Sequence, residues 1–209
     1  MTDAATLDGP RTPVKRLWLD LTRKCQLNCV HCYNGSGPAG DHGTMTCEDW
    51  LGVVEEAADH GIERVQLIGG EPTLHPDAHR IADHALALGL HIEVYSNLVH
   101  VTDAWWQFFQ RAGVSVATSY YAAEAAGHNA VTGRPSHRRT RGNIVRAMAL
   151  GIRLRVGIVS TGDASRTAGA VADPQGARGD RSRRRPRSTL RPRHWWGTRA
   201  GCGTLWQVR

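Results

Sequence analysis

Five short apolar runs alternate with four longer amphipathic stretches between Leu17 and Ser160, and this alternation leaves few architectures open. The strand-like runs are residues 17–22, 64–68, 91–96, 114–119 and 154–160. A helical period is predicted between them, over residues 46–60, 76–88, 102–111 and 139–150. Thr46 with Asp49 gives a T-x-x-D capping pattern, in which the hydroxyl accepts a first-turn N–H. Gly61, Gly89, Gly113 and Gly151 each follow a helix-like stretch, where a terminating glycine is expected. Strand–helix alternation of this kind predicts an α/β fold with a parallel sheet and right-handed crossovers. In barrels built this way, the groups that carry chemistry gather at the C-terminal ends of the strands.

Three cysteines fall directly after the first predicted strand. Cys25, Cys29 and Cys32 form C-x3-C-x2-C within eight residues, close enough to reach one metal centre from one loop. Thiolates are soft ligands and select zinc, Cu(I) or iron–sulfur clusters over hard cations. Structural zinc ordinarily takes four protein ligands, often as two C-x2-C pairs. Three cysteines with no obvious fourth fit a [4Fe–4S] cluster better, with one iron left open. A zinc site is the alternative.

The segment Lys24–Tyr33 (K-C-Q-L-N-C-V-H-C-Y) resembles the signature loop of radical S-adenosylmethionine (SAM) enzymes. Val65–Pro72 (V-Q-L-I-G-G-E-P) ends a second predicted strand and resembles the second motif of that family. The resemblance implies a partial (β/α)6 TIM-like barrel, a [4Fe–4S] cluster held by Cys25, Cys29 and Cys32, and SAM on the open iron. It implies reductive cleavage of SAM to methionine and a 5′-deoxyadenosyl radical, which abstracts hydrogen from a substrate. Gly69, Gly70 and Glu71 would meet the SAM amino group, and glycine there allows close backbone approach. The backbone of His31 would approach the adenine. Ser96 and Asn97 resemble the strand-end pair on the ribose hydroxyls, and Ser119 is a candidate for the carboxylate. Arg134 could pair with that carboxylate through its guanidinium fork. Tyr120, Tyr121, Trp105 and Trp106 fit either a core or a pocket wall. No general base can be assigned.

Similarity in C-Y-N-G-S-G-P and S-N-L-V-H extends to the cores of SPASM/twitch-type, peptide-modifying members. That resemblance implies a ribosomally made peptide as substrate, with a small molecule as the alternative. It also implies an electron donor such as a flavodoxin or ferredoxin. Residues 1–13 read as a loose lead-in, 14–171 as the core of about five β/α units, and 172–209 as a basic, disordered tail.

The N-terminal residues lack the apolar h-region of a signal peptide. No apolar run approaches the roughly twenty residues that span a bilayer. A reducing cytoplasm is the expected compartment, with the cysteines as ligands, no membrane partner, and Cys47 a lone buried thiol.

The formal charge of +7 does not make the core basic. After Ala172 ten arginines face Asp173 and Asp180, which leaves a net charge of −1 for the rest. Nucleic acid is therefore not the expected partner of the core; with a native arm the alternative is a non-enzymatic iron–sulfur module whose basic arm binds nucleic acid. A shift of reading frame near residues 171–173 is the other reading of the tail. Back-translated and read one base later, it can give a helix end, a sixth strand and, from residues 201–209, a C-G-x-C stretch. The chain is then expected to be C-terminally truncated or frameshifted, its barrel incomplete and its turnover impaired.

Overall fold

The structure is a computed structural model that describes residues 14–160, 169–170 and 204–208. It contains five parallel strands: β1 (Arg16–Asp20), β2 (Arg64–Ile68), β3 (His91–Tyr95), β4 (Val114–Tyr120) and β5 (Leu154–Ser160). They lie side by side in chain order, paired in parallel from β1 to β5. The alternation predicts this parallel α/β sheet, and the family resemblance implies the partial barrel that it forms. A further strand, β6 (Thr204–Val208), pairs with β5 in the antiparallel sense. It therefore does not continue the parallel repeat. The rest of the expected basic tail, including Cys202, lies outside the described residues.

The crossovers carry α1 (Cys47–Asp59), α2 (Ala78–Ala87) and α3 (Asp103–Phe109). Between β4 and β5 run two helices, α4 (Ala125–Thr132) and α5 (His137–Ala149). The sequence pattern gave only the second. Residues 125–132 (A-A-G-H-N-A-V-T) carry a glycine, an asparagine and β-branched residues, all weak helix formers. At α1 the capping box is complete: Asp49 N–H donates to the Thr46 hydroxyl, and Thr46 N–H donates to the Asp49 carboxylate.

Register divides the sheet into two faces. Leu19, Leu67, Val94 and Val116 share one face with Val65, Ile92, Val114, Leu154 and Val156. These side chains pack with the helices in one core that includes Trp50, Ile81, Phe108, Phe109 and Ile144. Trp105, Trp106 and Tyr120 are buried in the same core, so they are packing residues. Ile144 on α5 is fully buried. Ile144→Val should cost about 0.5–1.5 kcal/mol by loss of one methyl and a small cavity, read as a lower midpoint in urea unfolding.

The opposite face is polar. Glu93 is buried and receives both Arg155 Nε and Nη2, at 3.2 and 2.8 Å, and Gln66 Nε2 at 2.5 Å. Tyr95 and Ser119 stand on this face near its C-terminal end and join hydroxyls at 2.9 Å. The fold thus leaves its helix-free face lined with hydrogen-bonding groups, and it brings the ends of β1 to β4 to a common edge.

Candidate functional site

The chain leaves β1 through Leu21 and Thr22 and enters the cysteine loop. One side of the loop is tied to the segment that follows it. Arg23 N–H and Lys24 N–H both donate to Asp41 O, at 2.9 and 3.1 Å, and Cys25 N–H donates to Gly37 O at 3.0 Å. The other side docks on α4. Asn28 N–H and Val30 N–H donate to Thr132 O and Val131 O, both at 3.0 Å. Carbonyls in the last turn of a helix lack partners within it, so the loop completes the end of α4. Gly133 has φ +65°, and a Cβ there would lie 2.4 Å from Asn28 O. The helix missed in the sequence is therefore part of the seat of the cysteine loop.

Cys25 is buried, while Cys29 and Cys32 are half-buried. Leu27 N–H points at Cys25 Sγ from 3.4 Å, Asn97 Nδ2 at the same sulfur from 3.6 Å, and Ser36 N–H at Cys32 Sγ from 3.3 Å. Burial pushes the Cys25 thiol up to about 11 and the Cys29 thiol up to about 12; the Glu71 carboxylate and then Cys32 add to the first, and Cys25 and Cys32 to the second. Sulfurs held this way are protonated on their own, and a bound cationic centre is what makes them thiolates. Among the described residues, no three His, Cys, Asp or Glu side chains converge on a position for a single ion. Cys47, the other described cysteine, begins α1 and is buried there. Three soft donors with N–H groups aimed at their sulfurs suit an iron–sulfur cluster with one open iron. They do not supply the closed tetrahedron of structural zinc.

The end of β2 packs against the start of this loop. Gly70 N–H donates to Thr22 O at 2.6 Å, and Glu71 N–H donates to Lys24 O at 2.9 Å. A Cβ on Gly69 would lie 2.5 Å from Thr22 O, and one on Gly70 would lie 2.4 Å from Lys24 O. The glycines are needed here for close approach of two stretches of the protein's own backbone. Glu71 is fully buried. Its carboxylate accepts Asn97 N–H at 2.7 Å, the Thr73 hydroxyl at 2.7 Å and Thr73 N–H at 3.3 Å. It faces inward and ties the end of β2 to the end of β3.

At the end of β3, Ser96 is fully buried and its hydroxyl oxygen accepts Leu98 N–H at 3.1 Å. Asn97 Oδ1 accepts Gln26 Nε2 at 3.0 Å and Val99 N–H at 2.9 Å. At the end of β4, the Ser119 hydroxyl meets Tyr95, and the His31 ring lies edge-on to Tyr121 with centroids 5.1 Å apart. Arg134 is exposed on the turn between α4 and α5. The predicted residues thus form one connected group through Cys25, Gly69, Gly70, Glu71, Ser96 and Asn97. His31 lies against Tyr121 beyond β4, and Arg134 stays at the rim.

Sequence reasoning passed over Tyr95, Gln26 and the Glu93–Arg155 pair. The signal for the inner-face residues was available: they occupy the strand positions that alternate with the apolar ones.

Residues 19–162, more than half of the chain, match the family described as the Radical SAM superfamily. The chain is 29% identical over 142 residues to a PqqA peptide cyclase of Streptomyces rochei, a match that covers 68% of this chain and 39% of that one. Streptococcus suis SuiB, solved bound to S-adenosylmethionine, has a TM-score of 0.61 at 19% identity, covering 68% of this chain and 33% of SuiB. The protein anSMEcpe, solved with bound AdoMet, has a TM-score of 0.57 at 16% identity, covering 69% of this chain and 43% of that one. These two likenesses are of fold. The chain spans less than half the length of each of these relatives. With its sequence match, its parallel β/α order and its cysteine loop at the strand ends, the chain belongs to the radical SAM superfamily, whose enzymes use a [4Fe–4S] cluster and S-adenosylmethionine.

Proposed function

We propose that this chain is the core of a radical SAM enzyme that modifies a ribosomally made peptide. One observation carries the reading: the thiols of Cys25, Cys29 and Cys32 sit on a loop locked to the ends of β2, β3 and α4. On this reading the three cysteines hold the cluster, and the open iron is left to SAM. When bound, the cluster supplies the electron that cleaves SAM and starts hydrogen abstraction. The chain's own residues hold the loop rigid, donate N–H groups to Cys25 and Cys32, and present a polar face beneath.

Gly69, Gly70 and Glu71 would act by holding the cysteine loop against the end of β2, beside the place of the SAM amino group. On this reading Ser96 and Asn97 would serve the ribose, the backbone of His31 the adenine, and Ser119 and Arg134 the carboxylate. The peptide substrate is supported by the names of the relatives: a peptide cyclase, and SuiB, which is also solved bound to its precursor peptide SuiA. A ferredoxin or flavodoxin is the electron donor proposed, in a reducing cytoplasm.

Anaerobic reconstitution with iron and sulfide should give a broad absorbance near ~400 nm, as thiolate-bound clusters do. Dithionite and SAM should then yield 5′-deoxyadenosine. Cys25/Cys29/Cys32→Ala should reduce both to background. Transfer of deuterium from a labelled precursor peptide into 5′-deoxyadenosine would establish the peptide, and transfer only from a small molecule would replace it. A preparation that binds one zinc and no iron contradicts the whole reading.

A further inference from the structure

We propose that Asn97 is a positioning residue that sets the reduction potential of the cluster through a hydrogen bond from its side-chain amide to Cys25 Sγ. The inference rests on the reading that Cys25, Cys29 and Cys32 hold an iron–sulfur cluster.

The orientation of the Asn97 amide follows from its partners. Val99 N–H lies 2.9 Å from one terminal atom of the side chain. A backbone amide only donates, so that atom is the oxygen. Gln26 Nε2 donates to the same oxygen from 3.0 Å. The other terminal atom is therefore the nitrogen, and it stands 3.6 Å from Cys25 Sγ. With the oxygen fixed by two donors, the NH2 group cannot rotate away from the sulfur.

The backbone of Asn97 is fixed from two further sides. Its N–H donates to the buried Glu71 carboxylate at 2.7 Å, and its carbonyl accepts the Thr140 hydroxyl at 3.0 Å. Next to it, Leu98 is fully buried with φ +55°. A non-glycine residue in the left-handed region persists only where its surroundings hold it. Here Asn143 Nδ2 donates to Leu98 O at 2.7 Å. The turn after β3 is thus held in a costly conformation, from α5 and from Glu71, with the result that Asn97 points at a sulfur.

A hydrogen bond to a cluster sulfur withdraws negative charge and favours the reduced form, which carries one more electron. Leu27 N–H and Ser36 N–H give bonds of the same kind, but from the backbone. Among the described residues Asn97 is the side chain that donates to Cys25 Sγ; Gln26 Oε1, 4.0 Å from the same sulfur, is an acceptor and gives no such bond.

The test is an EPR-monitored redox titration of the reconstituted chain, without SAM. Asn97→Ala should move the midpoint downward by an amount equal to about a tenfold change in the reduced-to-oxidised ratio, 59 mV for one electron. Gln26→Ala removes one of the two donors on Asn97 Oδ1 and an acceptor 4.0 Å from Cys25 Sγ, but Val99 N–H still holds the amide on the sulfur, so it should move the midpoint by less than half as much. An unchanged midpoint in Asn97→Ala, or an equal shift in Gln26→Ala, overturns the proposal. A second measurement needs no substitution: pulsed EPR of the reduced cluster in a chain carrying side-chain-¹⁵N asparagine. A ¹⁵N coupling is expected, and its absence overturns the proposal even if Asn97→Ala fails to assemble. Failure to form any iron–sulfur cluster would instead strike at the proposed function.

Discussion

Gly70→Ala should strip the iron–sulfur centre from a chain that keeps its helices. The added Cβ would meet Lys24 O at 2.4 Å, Lys24 C at 2.8 Å and Arg23 O at 3.0 Å. All three are backbone atoms, so no side chain can swing aside. Either the end of β2 or the start of the cysteine loop must retreat by roughly 1 Å to regain an ordinary contact. That retreat breaks Gly70 N–H to Thr22 O and Glu71 N–H to Lys24 O. Overpacking of this kind costs about 1–3 kcal/mol, which a β/α core can survive. The loop cannot keep its geometry, and supporting residues around a metal centre typically matter by about 10–100-fold in affinity. We expect iron content to fall by about tenfold or more at unchanged far-ultraviolet circular dichroism. Gly52→Ala is the matched control: Gly52 lies in α1, and a Cβ there meets nothing within 4 Å. It should stabilise the chain by about 0.5–1 kcal/mol, since alanine loses less backbone freedom in a helix, and leave iron content unaltered.

Glu71→Gln should destabilise the same junction while changing almost no volume. The Glu71 carboxylate is surrounded by donors: Asn97 N–H, Thr73 N–H, and the hydroxyls of Thr73 and Ser96. Glutamine replaces one acceptor oxygen with an NH2 group, which sets a donor against a donor in a fully buried place. An unsatisfied buried group costs about 1–3 kcal/mol. A loss of about 2 kcal/mol in urea unfolding is the expected result. Burial raises the Glu71 carboxyl above its usual range, and the surrounding donors pull it part of the way back. A carboxyl raised in the folded chain holds its proton more tightly than in the unfolded chain. Its contribution is then fully present below the ordinary carboxylate range and fades as pH rises through the folded value. The cluster-free parent should lose stability across that window, and Glu71→Gln should lack that slope.

The sequence disclosed the repeat because each crossover has its own period and its own stop: α1 is capped by Thr46, and Gly61, Gly89 and Gly151 all take positive φ. It also disclosed the cysteine loop, since ligand type and spacing are local properties. It did not disclose α4, whose composition is poor for a helix and whose carbonyls are completed by a loop a hundred residues away. Nor did it disclose what Gly69, Gly70 and Glu71 do for the fold. A glycine required by contact with Lys24 looks the same in sequence as one kept open for a ligand, and only the packing separates them. Asn97 shows the same limit: its place at a strand end was legible, but the aim of its amide at Cys25 depends on Val99, Gln26, Glu71 and Thr140 together. The sixth strand is a different matter, because β6 runs antiparallel and no alternation of strand and helix leads to it.

The most direct test of the central claim is the low-temperature EPR spectrum of the reconstituted, reduced chain before and after addition of SAM. The account predicts about four irons per chain and a cluster signal that changes shape with SAM, because the fourth iron lacks a protein ligand. A chain that carries zinc in place of iron, or a cluster signal that SAM leaves untouched, would contradict it.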